Sequence, residues 1–188
     1  TAYYQSKGRI DSRNSEIEPA QVGWEVVDRF DYQSIVQSST EEVLEKNNVA
    51  HNIEPGGYDL VVSSSHLWKI LYDTVITHLD PYTVYGLDGD NPRYSLFRAD
   101  DFGVKSFGSP LMNLDYTNTI PEGLATTQID DTGFPATSGT ILRGGKLVGL
   151  PGSDELQRFG MEWEGNSARA EQWDQQPKFA MPNLVLRP

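Results

Sequence analysis

The chain has 188 residues, of which 37% are hydrophobic and 11% aromatic, and this length suits one large domain with a core of its own. The net charge of −12 argues against a nucleic-acid partner, because an acidic surface repels phosphate backbones, and no apolar run reaches the roughly 18 to 20 residues of a membrane span. Cysteine is absent, which excludes disulfides, thiolate zinc sites and a cysteine nucleophile within these residues.

The first fifty residues predict one helix after a polar start. Residues 1–22 form a polar N-terminal segment, and GWEVV at residues 23–27 is interpreted as a short strand or strand end. Apolar residues recur at helical spacing between residues 32 and 46, but Ser38, Ser39 and Thr40 interrupt them. We therefore predict a helix over the second half of this stretch, with Thr40 as its N-cap. The sequence NNVAHNIEPGG then breaks the helix.

The next segment predicts a buried strand followed by an amphipathic helix. YDLVV at residues 58–62 is a β-branched run typical of a buried strand. Three serines at 63–65 offer N-caps to a helix from about residue 66 to residue 78, which Pro81 ends. Its apolar stripe consists of Leu67, Ile70, Leu71, Val75 and Leu79. Residues 82–122 hold many aromatics and turns, with GLDGDNPR as a loop.

From Gly123 the pattern becomes strongly β. GLATTQI, FPATSGTIL and LVGL are predicted to form successive hairpin strands, joined by the turns DDTG and RGGK. MPNLVLRP at the end predicts one more strand. The predicted fold class is therefore α+β, with predominantly antiparallel β-sheet and hairpins and one or two helices packed on the sheet.

Several pieces of the chain resemble, in this order, the TldD/PmbA metallopeptidase family, once called modulators of DNA gyrase. They are GWEVVDRFDY, EPGGYDLVVSSSHLW, FGSPLMNL, EGLATTQIDDTGFPATSGTILRGGKLVG and NSARAEQWDQQPKFAMPNLVLRP. The resemblance implies that residues 1–188 are a fragment of such a protein. Residues 1–22 would be its N-terminal segment and residues 23–188 the central part of a metallopeptidase-like domain, with the C-terminal part outside this chain.

The resemblance also identifies where the family's zinc motif falls. In this family the helix after the YDLVV-type strand carries HExxxH, whose two histidines bind zinc and whose glutamate is the general base. Zinc in such a site lowers the pKa of bound water to roughly 7. Aligned without a gap, the motif falls on Tyr72, Asp73 and Thr77. Both zinc-histidine positions are thus substituted, and Asp73, at the general-base position, is one methylene short.

The first functional hypothesis is a non-catalytic subunit, a pseudo-peptidase. Because both zinc-histidine positions are substituted, the resemblance implies an inactive site and no cofactor. The family's further zinc ligand is a cysteine that lies beyond this sequence. It also implies a homologous partner subunit in a homo- or hetero-oligomer, and an extended peptide bound by strand addition. The candidate sheet edge for that peptide is the start of GLATTQI: Gly123, Leu124, Ala125 and Thr126.

Two alternatives remain open. One is an active zinc metallopeptidase acting on unstructured peptides with an altered ligand set of Asp73, His78 and Asp80, since Asp73 and His78 have the same separation as the two family histidines. Carboxylate and histidine pairs of this kind are common on helices and more often belong to a solvated polar face. The other is a structural or assembly protein with interface anchors among its tyrosines: Tyr72, Tyr82, Tyr85 and Tyr94. Cytoplasmic residence, without a membrane partner, is the expected location.

Overall fold

The computed structural model describes residues 1–6, 8–15, 19–50, 52–87, 94–152 and 164–188. Contacts divide the chain into two units, Thr1–Ser65 and His66–Pro188. Helices and mostly antiparallel strands occur together among these residues, which confirms the predicted α+β class. Most of the predicted GLDGDNPR loop, residues 88–93, lies outside the described residues.

The first unit consists of a hairpin and a long helix. Strands β1 (Ala2–Ser6) and β2 (Arg9–Arg13) pair antiparallel, with Ala2 opposite Arg13. They precede two helices, α1 (Glu25–Asp28) and α2 (Tyr32–Val49). The hairpin contacts α2, where the Arg13 guanidinium donates to the Glu42 carboxylate. The polar composition of residues 1–22 gave no prediction of this hairpin.

Both predictions for residues 23–46 need correction. GWEVV is not a strand, because Glu25–Asp28 form the short helix α1. Helix α2 begins at Tyr32 rather than after Thr40, since Asp31 is its N-cap. The hydroxyl groups that seemed to interrupt the helix bond within it. Thr40 Oγ1 donates to the Val36 carbonyl at 2.7 Å and Ser38 Oγ to the Ile35 carbonyl at 3.2 Å.

The Asp31 cap predicts an acid-sensitive helix α2. The hydrogen bond from the Ser34 hydroxyl, followed by that from the Ser34 amide, lowers the pKa of the Asp31 carboxyl below its ordinary value of 3.8. A depressed pKa in the folded state stabilises that state above pH 3.8, and this contribution is lost as the pH falls through the lowered value. We expect Asp31→Ala to reduce helicity, measured by circular dichroism, at neutral pH and to match the parent in strong acid. The control variant, Asp59→Ala, should have the same helicity as the parent at neutral pH and in strong acid.

Residues 58–62 are not the buried strand that was predicted. No described strand pairs with them, and Leu60 and Val61 are 80% and 105% exposed. A β-branched run forms a strand only when a neighbouring strand takes up its hydrogen bonds.

The structure contains the helix predicted after the serines, but this helix is shorter than predicted. Helix α3 covers Ser64–Thr74 and ends at Val75, whose φ of −121° and ψ of −54° are not α-helical. A 3₁₀ turn, Ile76–His78, follows. Pro81 then begins helix α4 (Pro81–Val84), in keeping with the preference of proline for the first helical position. The prediction of one continuous helix to residue 78 is therefore wrong over its last turn.

A four-stranded antiparallel sheet carries the core of the second unit. Its strand order is β10 (Asn183–Arg187), β3 (Asn113–Thr117), β4 (Gly139–Arg143) and β5 (Lys146–Leu147). The predicted RGGK hairpin and the predicted last strand are confirmed, whereas β3 was not predicted. The fully buried core cluster contains residues of the sheet and of the segments packed on it: Leu79, Val84, Phe97, Leu114, Tyr116, Ile141, Leu142, Leu147 and Leu150.

Short strand pairs complete the second unit. Strand β6 (Pro151–Gly152) pairs parallel with β7 (Glu164–Asn166), and β8 (Ala168–Arg169) pairs antiparallel with β9 (Lys178–Phe179). The prediction of a strand over residues 123–129 is wrong, because this segment holds turns and a single bridge between Ile129 and Pro135. No helix in the described ranges is long and apolar enough to cross a membrane.

Candidate functional site

The residues at the family's zinc positions lie at the end of α3 and in the 3₁₀ turn. Tyr72 is 56% exposed, and Asp73 is an exposed residue whose carboxylate lies 3.4 Å from the Lys69 ammonium. Such an exposed pair, one helical turn apart, contributes little to stability. Thr77 donates its hydroxyl to the backbone carbonyl of Asp73 at 3.3 Å. These three side chains are therefore solvated or bonded locally rather than turned toward one another.

His78 and Asp80 each have a local structural partner. His78 Nδ1 lies 3.0 Å from the Tyr94 carbonyl oxygen, and the His78 carbonyl accepts a hydrogen bond from the Ser95 hydroxyl at 2.7 Å. Because a carbonyl can only accept, this contact places the proton of a neutral imidazole on Nδ1. Asp80 is the N-cap of α4, since its carboxylate accepts from the Tyr82 amide at 3.0 Å. Both residues thus fix the chain around α4.

The structure does not bring Asp73, His78 and Asp80 together. Within the part of the chain that the structure describes, no group of three or more histidine, cysteine, aspartate or glutamate side chains could hold a metal ion. The helix break at Val75 explains this, because it removes the regular geometry that would place residues 73 and 78 on one helix.

The peptide-binding candidates lie in turns rather than at a sheet edge. The Thr126 amide donates to the Gly123 carbonyl at 2.9 Å, and the Ala125 amide donates to Asn183 Oδ1 at 3.0 Å. A Cβ on Gly123 would lie 2.8 Å from the same Asn183 oxygen, so a larger residue there would displace the Asn183 side chain that bonds the turn. Leu124 is left exposed. These contacts hold the turn against the start of β10, and peptide binding by this turn stays a prediction.

The predicted DDTG turn has a larger role than a hairpin connection. Asp130 is buried, and its Oδ1 accepts hydrogen bonds from the Thr132 amide, the Thr132 hydroxyl and the Phe134 amide. Its Oδ2 accepts from the Ala168 amide at 3.2 Å in β8. Sequence reasoning predicted the turn from the aspartate and glycine. It missed the link to β8, because nothing local indicates a partner so distant in the chain.

Comparisons with known proteins found one matching family model and similar solved structures. The family model described as PmbA/TldA metallopeptidase C-terminal domain matches residues 56–188. Among solved structures, a protein from Thermotoga maritima described as a modulator of a DNA gyrase is 18% identical, with a TM-score of 0.54 over 86% of this chain and 34% of its own. TldE from Thermococcus kodakarensis is 16% identical, with a TM-score of 0.49 over 81% of this chain and 33% of its own. This chain therefore spans about a third of either protein. No curated protein matches it.

Proposed function

Because the chain belongs to the PmbA/TldD metallopeptidase family, we propose that it is a non-catalytic member, a pseudo-peptidase. In this proposal it binds extended peptides together with a homologous subunit and leaves cleavage to a zinc-bearing partner. The same fold with an altered set of zinc ligands, acting as an active peptidase on unstructured peptides, is the competing proposal.

The observation that carries the proposal is the state of the motif positions. Zinc takes thiolate, imidazole and carboxylate ligands, and neutral phenol and alcohol groups such as those of Tyr72 and Thr77 are poor replacements. The Thr77 hydroxyl is already bonded to the backbone carbonyl of Asp73. The break in helix α3 at Val75 lies between Asp73 and Thr77 along the chain. Neither histidine position, Tyr72 or Thr77, therefore supplies a preferred zinc ligand, and the helix that would present both is interrupted between them, which supports the non-catalytic role.

Peptide binding is supported by the edge of the four-stranded sheet. Strand β10 is an outer strand of this sheet within the described residues. An outer strand presents backbone donors and acceptors to which an extended peptide can add as a further strand. Strand β5, at the other end, is shorter, and its Lys146 already bridges to Ser106. We therefore place peptide addition at β10, next to the turn formed by residues 123–126.

Metal content and cleavage test the proposal. We expect the purified chain to hold far less than one zinc ion per molecule by elemental analysis, and to leave an unstructured peptide intact with or without added zinc. Stoichiometric zinc together with peptide cleavage, both lost in His78→Ala and retained in His66→Ala, would instead establish the active peptidase. His66 is a suitable control because it is an exposed histidine at the start of α3, the helix that precedes the turn containing His78.

A further inference from the structure

Strands β8 and β9 and the loop that joins them line an open surface pocket of about 300 Å³. This volume is at the small end of the range for ligand sites, so it suits one side chain or a chain terminus rather than a whole folded partner. We call it the hairpin pocket. The charged, amide and aromatic residues of its lining are Arg169, Glu171, Gln175, Gln176, Lys178 and Phe179.

Two positively charged side chains lie next to each other in the lining of the hairpin pocket. Arg169 and Lys178 are directly opposite in the register of β8 and β9, so their side chains lie on the same face of the hairpin. Like charges at directly opposed positions destabilise a strand pair. Among the described residues neither side chain forms an ion pair. The chain thus keeps two unneutralised cations together although its net charge is −12.

The chemistry of the lining favours a singly charged anion. An arginine guanidinium matches the planar geometry of a carboxylate with two parallel hydrogen bonds, and the lysine adds a second positive charge. Gln175 and Gln176 supply amide groups that can donate further hydrogen bonds. Glu171, in the same lining, opposes a doubly charged group such as phosphate more strongly than a carboxylate.

The hairpin is held in place before any ligand binds. The Ala168 amide donates to Asp130 Oδ2, and the Ala170 amide donates to Asp131 Oδ2 at 2.7 Å. The Asp131 amide donates in return to the Ala168 carbonyl at 3.1 Å. These bonds flank Arg169 on both sides. A site fixed in this way loses less entropy on binding than a free loop would.

We propose that the hairpin pocket binds a carboxylate of an extended peptide, either an acidic side chain or a free C-terminus. The peptide as ligand rests on the proposed function, whereas the preference for a carboxylate rests on the pocket itself. Trp173, 96% exposed in the loop between β8 and β9, offers an apolar surface for the residue next to that carboxylate.

Peptide titrations with charge-matched variants of the whole chain test this site. The pocket variant is Arg169→Gln with Lys178→Gln. The control is Arg143→Gln with Lys146→Gln, which removes the same charge from another directly opposed pair, in the β4–β5 hairpin. Four labelled unstructured peptides would be titrated by fluorescence anisotropy, with or without acidic side chains and with a free or amidated C-terminus. Thermal unfolding verifies that each variant is folded.

We expect the parent and the control to bind a carboxylate-bearing peptide alike, and the pocket variant to bind it about tenfold more weakly. The amidated peptide without acidic residues should bind all three proteins equally. The two intermediate peptides identify which carboxylate is bound. Equal binding of charged and uncharged peptides by the parent would overturn the carboxylate site and leave peptide binding intact. Failure of every peptide to bind would overturn both proposals.

Discussion

Gly145→Ala is expected to lower the free energy of unfolding by roughly 2–5 kcal/mol. Gly145 has a φ of +74°, a left-handed conformation that costs a residue with a Cβ about 1–2 kcal/mol. An added Cβ would also lie 2.5 Å from the Gly108 carbonyl oxygen and 2.6 Å from that of Ser109. Both contacts are to backbone, which cannot rotate away, so the segment around residues 108–109 must move.

Gly144→Ala is the matched control in the same turn. Gly144 also has a positive φ, of +55°, but its added Cβ would meet nothing closer than the Pro110 carbonyl oxygen at 3.6 Å. Gly144→Ala should therefore lose only the cost of the left-handed conformation, about 1–2 kcal/mol of unfolding free energy. Urea denaturation of both variants measures the difference. Equal losses at the two positions would show that the steric contact at Gly145 is relieved at no cost.

Asp130→Ala is expected to cost roughly 2–4 kcal/mol, because it removes the acceptor of four charge-assisted hydrogen bonds. The substitution leaves four donors without an acceptor, namely the Thr132 amide and hydroxyl and the amides of Phe134 and Ala168. Ala168 is buried, so its unbonded amide would carry its full desolvation penalty, whereas Thr132 and Phe134 are exposed and their donors can bond water. Since Ala168 lies in β8, the loss should reach the hairpin pocket as well as the turn.

Asp131→Ala, the neighbouring change, separates this effect from loss of charge. The Asp131 side chain is exposed and accepts one amide, that of Ala170. We expect Asp131→Ala to lower the free energy of unfolding by about 1–2 kcal/mol, because it removes that single charge-assisted hydrogen bond. Chemical denaturation measures the stability loss of each variant. Faster hydrogen exchange at the Ala168 or Ala170 amide shows whether β8 or the residue that follows it is affected. If the two variants were equally stable, Asp130 would not hold β8 in the way its hydrogen bonds indicate.

Elements set by local chemistry were predictable from the sequence. The RGGK hairpin has glycines at both positions with positive φ, and α3 begins within the predicted serine run, at Ser64. Residues 58–62 and 123–129 were mispredicted for a common reason. A strand depends on a neighbour that the local sequence does not specify, and neither run has one in the described structure.

The candidate site was predictable in its residue types and not in its contacts. Placement of the family motif identified Tyr72, Asp73 and Thr77 as the substituted positions. The role of His78 depends on Tyr94, which approaches it from a segment without regular structure. The capping role of Asp80 did have a local signal, an aspartate immediately before a proline. The pairing of Arg169 with Lys178 depends on the register of the β8–β9 hairpin, which spacing alone does not determine.

The order of strands in the main sheet has a consequence for how the protein forms. Strands β4 and β5 are joined by a tight turn, whereas β3 and β10 meet only after a long intervening stretch, with Thr117 opposite Asn183. Closing so long a loop costs entropy before any contact compensates for it, so this pairing is a slow step in folding. Until β10 arrives, the edge of β3 stays open to strands of other molecules. During synthesis β3 is therefore an edge at which pairing with another molecule can compete with correct folding.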